Sequence, residues 1–208
     1  MSPKTILRSE QEQVREDILA AASQRFQTYG YGKTTMAEIA KDCSMSASNL
    51  YRYFENKHDI GAALASHCLG SQLEALNLVV ESTEISSSAE KLKQFVLSLL
   101  HHTHHHWSTL PKMSELVDDI CAQRRDILLL HMENKQLLLR KLLVEGQQTD
   151  EFVFDDIEAT VDSIMSATLV FDMPHFMSFH SLSEFELKAE NLTNLMVSGL
   201  ANREQTAS

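Results

Sequence analysis

Four apolar residues, Val14, Ile18, Ala22 and Phe26, recur every four positions and draw one hydrophobic stripe along a helix. Gly30 stands just past that stripe, where a glycine closes a helix by taking a backbone conformation that side chains disfavour. This context decides how the next residues are read. The segment YGYGKTT, residues 29–35, ends like a phosphate-binding loop, which needs G-x-x-x-x-G-K-[ST] on a loop leaving a buried strand. Gly32, Lys33 and Thr34 match its end, but Gln27 occupies the first glycine position and the preceding segment is helical. A helix followed by a turn does not stack backbone N–H groups around a phosphate. The nucleotide-binding reading fails.

The rest of the chain carries the same signal. Six glycines and three prolines among 208 residues, with 43% hydrophobic residues in short periodic groups, predict an all-α protein. No apolar run approaches the ~20 residues that span a bilayer, and the N-terminal MSPKTILRSEQEQ lacks a signal-peptide core. Cys43, Cys68 and Cys121 are odd in number, widely spaced and form no C-x-x-C, which suits a reducing cytoplasm. The expected location is cytoplasmic, with no membrane partner.

Charge divides the chain in two. Residues 1–60 hold eight Lys/Arg and eight Asp/Glu; of the chain's 18 and 29, the remainder holds ten and twenty-one, and so carries the whole net charge of −11. The first part can approach a phosphate backbone, whereas the second would be repelled by one.

Within the first part, Thr34 or Thr35 can cap a short helix, and Glu38 stands at capping-box spacing from Thr35. Met36, Ile39 and Ala40 form its apolar side. Cys43-Ser44-Met45 makes a three-residue turn, and Ser46 caps a second short helix with Ala47, Leu50 and Phe54. Two short helices so joined form a helix-turn-helix, whose second helix presents its N-terminal side chains to the major groove. Ser46, Ser48, Asn49 and Arg52, with Tyr51 and Tyr53 beside them, bring hydroxyl, amide and guanidinium groups suited to base edges and phosphates.

Residues 12–72 resemble the DNA-binding domain of TetR-family transcriptional regulators. The resemblance is carried by A-A-x-x-x-F closing the first helix, then G-Y-x-x-T-T, I-A, S-x-x-x-L-Y-x-Y-F and a closing N-K. It implies that Thr34 and Thr35 touch the DNA backbone, that Ser46, Ala47, Ser48 and Asn49 lead the recognition helix, that Tyr51 and Tyr53 face phosphates, and that Lys57 makes a phosphate contact. Ser44 departs from the pattern, since many members carry glycine there. The resemblance also implies a homodimer formed by the last two helices and a small-molecule effector bound in the second domain.

Beyond residue 72 only layout can be read. Helical segments are expected at 56–80, from Leu92 to about Trp107, from Pro111, up to Gly146, from Ile157 to Pro174, and around Phe185 to Met196, for about nine helices, three plus six. Residues 1–11 are expected as a flexible arm, 12–72 as the DNA-binding domain and 73–208 as the effector-binding and dimerisation domain. Asp155 or Asp156 can cap a helix after the acidic loop 149–156. The last two helices carry apolar residues on more than one side (Ile164, Met165, Leu169, Phe171; Leu192, Leu195, Met196, Leu200), and a partner subunit would cover the second face.

Candidate chemistry is sparse. His101/His105 and His102/His106 are i, i+4 pairs, each half of a zinc site, and no other pair completes a set of four ligands. Glu55-x-x-His58 is a single motif where a di-iron bundle needs two. No H-E-x-x-H, G-x-S-x-G or C-x-x-C occurs, so neither a catalytic site nor a metal or cofactor is expected. Cys43 and Cys121 read as small buried hydrophobes before redox sensors. Trp107, His131, Asn134, Met165 and Phe171 are the candidate effector contacts, apolar walls with a few polar groups. The rival expectation is a helical small-molecule-binding protein with little DNA affinity.

Overall fold

The structure, a computed structural model, describes the backbone of residues 3–201 and the side chains of residues 10–201. It is all-α. Ten α-helices are described: α1 (Pro3–Tyr29), α2 (Met36–Asp42), α3 (Ala47–Leu50), α4 (Lys57–Val80), α5 (Ser88–Thr109), α6 (Pro111–Gln123), α7 (Arg125–Gln148), α8 (Ile157–Ala167), α9 (Leu169–Asp172) and α10 (Leu182–Leu200). The flexible arm expected over 1–11 is occupied from Pro3 onward by the first turns of α1, and residues 1 and 2 lie outside the described residues.

The tenth helix comes from a break that periodicity did not reveal. One helix was expected from Ile157 to Pro174, but Thr168 separates α8 from α9. Its buried hydroxyl donates back to the carbonyls of Ile164 (2.8 Å) and Met165 (3.3 Å). A threonine bonded in this way competes with the backbone ladder and bends a helix.

The chain forms two compact units. The first comprises the described residues as far as Cys68 together with Leu110–Ile127, and the second comprises Leu69–Thr109 and the described residues from Leu128 onward. The boundary therefore falls within α4, after Cys68 rather than after residue 72, and α6 belongs with the N-terminal helices. The first unit packs Ile18, Ala22 and Phe26 of α1 against Ile39, Leu50, Phe54, Ile60, and Met113, Leu116 and Ile120 of α6. Gly61 lies against α6: a Cβ there would lie 2.9 Å from Ile120 Cδ1, so a larger residue would force the Ile120 side chain to shift.

The second unit has two apolar clusters. Leu92, Phe95 and Leu99 of α5 meet Leu139, Leu142 and Leu143 of α7 with Val161 and Ile164 of α8, while Val96, Leu100, Phe171, Met177, Phe185 and Ala189 form the other. The loop 149–156 is less of a surface feature than its acidity suggests. Phe152 is buried and its ring lies over Gly146, where a Cβ would meet it at 2.2 Å. Asp156, not Asp155, caps α8 by accepting from the N–H groups of Glu158 and Ala159. Glu151 accepts from the Ser88 and Ala89 N–H groups at the start of α5 and from the Ser87 hydroxyl. Burial pushes its carboxyl up, but these donors prevail and hold it below the usual carboxylate range.

Candidate nucleic-acid interface

The helix-turn-helix is assembled by local capping. Gly30 takes φ of 90° and its N–H bonds to the Phe26 carbonyl, so α1 stops where the glycine predicts. Thr35 is the N-cap of α2: its hydroxyl accepts from the Glu38 N–H while the Glu38 carboxylate accepts from the Thr35 N–H, completing the capping box. At the other end the Met45 N–H returns to the Ala40 carbonyl at 2.9 Å, and Ser44 takes φ of 54° to allow it. That left-handed conformation is where glycine would be free of strain. Ser46 then caps α3 through the Asn49 N–H. The second helix is shorter than the two turns expected: α3 ends at Leu50 and Tyr51–Tyr53 continue as a turn.

The candidate residues sort by exposure. Ser46, Ser48 and Arg52 are exposed, Tyr51 is 52% exposed, and Asn49 is half-buried with its Oδ1 3.5 Å from an Arg52 guanidinium nitrogen. These groups offer hydroxyl, amide, phenol and guanidinium chemistry within a stretch of seven residues. Ala47 and Tyr53 are half-buried and pack against the core of the unit. Thr35 is exposed, but its hydroxyl is engaged with Glu38.

Two candidates are turned elsewhere. Thr34 is 2% exposed and its hydroxyl donates to the Gly30 carbonyl, so its side chain closes the turn rather than reaching outward. Lys57, expected at a phosphate, donates from Nζ to the carbonyls of Tyr31 (2.7 Å) and Thr34 (2.8 Å) and lies 4.4 Å from the centroid of the Tyr31 ring. Desolvation lowers its pKa. The ammonium secures the 31–34 turn because those carbonyls have no helical partner.

Two further arginines position the motif, and neither has a local sequence signal. Arg15 donates to the Tyr53 carbonyl at 2.6 Å and lies over the Phe54 ring, while Arg25 forms a two-point pair with Asp42 at 2.5 and 2.9 Å. These pairs join residues 38 and 17 positions apart. No short motif could reveal them.

In the second unit the candidate effector residues do not converge. Trp107 and Phe171 belong to one apolar cluster, with the Phe171 and Phe185 rings in edge contact, while Met165 packs on the other. Asn134 lines an open groove of about 450 Å³ with Leu73, Glu74, Asn77, Leu137 and Leu138. His131 is 5% exposed and bonds through Nε2 to the Gln72 Oε1 at 2.9 Å. Around it lie Gln72, Lys135 and Asp172, with Lys135 paired to Asp172 and the Gln72 amide nitrogen 3.0 Å from the other carboxylate oxygen. The sequence points to His131 but not to the network behind it, in which Gln72 of α4 bonds His131 and joins it to the pair of Lys135 from α7 and Asp172 from α9.

The histidine run separates along its helix. His101 pairs with Glu186 at 2.8 Å, while His102 lies 3.0 Å from the Ser71 hydroxyl and its ring centroid is 4.5 Å from that of His106. Among the described residues no three His, Cys, Asp or Glu side chains are grouped to hold a metal. Burial pushes all three thiols up, Cys68 to about 11, which keeps them protonated and unreactive. No helix among the described residues is long and apolar enough to cross a membrane.

Comparison with known proteins matches both parts of the chain. Residues 18–64 match the family model described as bacterial regulatory proteins, tetR family, and residues 88–193 match tetracyclin repressor-like, C-terminal domain. The probable HTH-type transcriptional regulator YttP of Bacillus subtilis is 21% identical over 139 residues, 67% of each chain. A putative TetR-family regulator from Mesorhizobium loti has the same fold at a TM-score of 0.71 and 17% identity, covering 92% of this chain and 98% of its own. RolR, solved in complex with the ligand resorcinol, matches at a TM-score of 0.59 and 19% identity, over 96% of this chain and 93% of its own.

Proposed function

The chain belongs to the tetR family of bacterial regulatory proteins and is a DNA-binding transcriptional regulator, and on that premise we propose that it is a cytoplasmic repressor, bound as a homodimer to a palindromic operator and released by a small-molecule effector. The observation that carries the reading is the capped helix-turn-helix: Ser46, Ser48, Tyr51 and Arg52 are exposed on a frame fixed by the Thr35–Glu38 box and by Lys57. Asn49, Ser48 and Arg52 read base edges, and Tyr51 meets a phosphate. Thr34, Ala47, Tyr53 and Lys57 act through the shape of the motif.

Dimerisation is supported by apolar side chains that the chain leaves uncovered on its last helices. Leu187 and Leu195 of α10 are 59% and 71% exposed, and Leu169 of α9 is 49% exposed. A second copy would bury them and set two recognition helices at the spacing of a palindrome's half-sites. Effector control is supported by the buried polar groups of the second unit and by the ligand held by RolR. α4 is one unbroken helix shared by both units, so an effector that tilts it changes half-site spacing. A coupling of ~1–3 kcal/mol weakens operator binding roughly 5–150-fold.

Fluorescence anisotropy with the DNA upstream of the protein's own gene tests the reading. Tight binding that weakens steeply as salt rises, and that exceeds binding to unrelated DNA, is the expected result. Equal, weak binding to every fragment would favour a helical ligand-binding protein instead.

A further inference from the structure

One buried group in the second unit has an identifiable chemical need. The Nδ1 of His131 has no hydrogen-bond partner, although the residue is only 5% exposed. Its state follows from its neighbours. The Asp172 carboxylate, paired with Lys135, only accepts, so the group 3.0 Å from it on Gln72 is the amide nitrogen. Thr103 lies 3.4 Å from the same nitrogen. Gln72 therefore turns its carbonyl oxygen to His131, and a carbonyl oxygen also only accepts. The proton of the neutral ring is thus on Nε2, which leaves Nδ1 as a bare lone pair. A second ring proton is opposed by burial, and then by the Lys135 ammonium and His102.

We propose that His131 Nδ1 is the polar anchor of the effector site and accepts a hydrogen bond from an uncharged hydroxyl group on a largely apolar ligand, such as a phenol or an alcohol. The proposal rests on reading the second unit as the effector-binding part. Three features select this class. A carboxylate ligand offers only lone pairs to a lone pair, so it leaves the need unmet. A cation would meet the repulsion of Lys135. The ligand's body is matched to the apolar clusters of this unit, to which Leu99, Leu100 and Phe171 belong. An unmet buried acceptor is costly, and a neutral donor removes that cost without bringing a charge into the interior. Asp172 and Gln72 are positioning residues, since they set the tautomer without touching the ligand.

The test uses the whole protein with four probes: phenol and benzoate, 1-hexanol and hexanoate. Calorimetry should show each neutral probe binding about ten-fold or more tightly than its matched anion, the effect of one satisfied against one unsatisfied buried acceptor. In ¹⁵N spectra the His131 Nδ1 signal should start in the unprotonated range and move upfield on adding the neutral probe. His131→Met should abolish the preference between neutral and anionic probes. The proposal is overturned if the anions bind as well, if no probe moves the Nδ1 signal, or if wild-type Nδ1 carries the proton. A probe that binds at His131 yet leaves the protein on its operator supports this site and counts against effector-released repression instead.

Discussion

The two units solve the problem of polar groups in different ways. In the first, polar side chains mostly cap helices and turns close in sequence: Thr35 with Glu38 and Ser46 with Asn49 at exposed positions, and the buried Thr34 with Gly30. In the second, polar and charged groups are taken inside and several are bonded over long separations, while the His131 Nδ1 is left without a partner. Lys91 is 4% exposed and reaches Glu145 at 2.8 Å and the Val80 carbonyl at 3.1 Å, and Lys135 is buried against Asp172. Local capping fixes the shape of a surface that must fit a constant partner, the DNA groove. Buried polar networks are costly when incomplete, which makes them sensitive to a ligand that completes or disturbs them.

The largest expected effect breaks the buried network. Asp172→Ala leaves the Lys135 ammonium buried without its carboxylate, and loss of one partner of such a pair costs about 3–5 kcal/mol. Urea denaturation should show it, and the double change Lys135→Met with Asp172→Leu should recover most of the loss, because it removes both charges. If Asp172→Ala is harmless, the pair is effectively hydrated and the contrast between the units disappears.

A somewhat smaller loss is expected in the first unit. Lys57→Met removes two charge-assisted bonds to the Tyr31 and Thr34 carbonyls and should lower stability by about 1.5–3 kcal/mol. Thermal melts check this. A variant as stable as wild type but weaker on all DNA would return Lys57 to the phosphate contact that its place in the motif suggests.

Acid should reveal the second unit's buried imidazole. Burial, with the Lys135 and His102 charges, lowers the His131 pKa from 6.5 to about 3. The unfolded chain therefore binds this proton between those values while the folded chain does not. The contribution is complete above pH 6.5 and is lost as pH falls toward 3, at up to about 1.4 kcal/mol per pH unit. His131→Gln should flatten the slope of stability against pH between 6 and 4 by roughly one proton. An unchanged slope would mean that the ring is already hydrated.

The smallest effect is a gain. Ser44→Gly relieves the left-handed backbone at the turn of the motif, offset in part by the freedom glycine gains when unfolded, for a net stabilisation of about 0.5–1 kcal/mol. Differential scanning calorimetry should show a raised Tm. A lowered Tm would mean that the serine side chain contributes more than its backbone strain costs.

What could be read from the sequence follows the same division. Gly30, Thr35, Glu38 and Ser46 act within four residues of their partners, so their roles were legible as spacing. The inward turn of Thr34 and Lys57 was not, because it depends on where the carbonyls of Gly30, Tyr31 and Thr34 point in space. Glu151 capping α5 and Gln72 joining Asp172 span 62–64 and 100 residues, distances at which no pattern in the sequence survives. Thr168 was hidden for another reason. The apolar period passes through it unbroken, and the break comes from a hydroxyl turned back on its own helix.

Polar groups on the stretch from Ser46 to Arg52, the half-buried Asn49 among them, are expected to read DNA sequence. Anisotropy titrations of wild type and Asn49→Ala on the operator and on unrelated DNA, at one fixed salt concentration, test it most directly. Loss of a base-reading contact should weaken operator binding by about 1–3 kcal/mol, roughly 5–150-fold, and leave binding to unrelated DNA unchanged. Equal weakening on both DNAs, or no weakening on either, would contradict it.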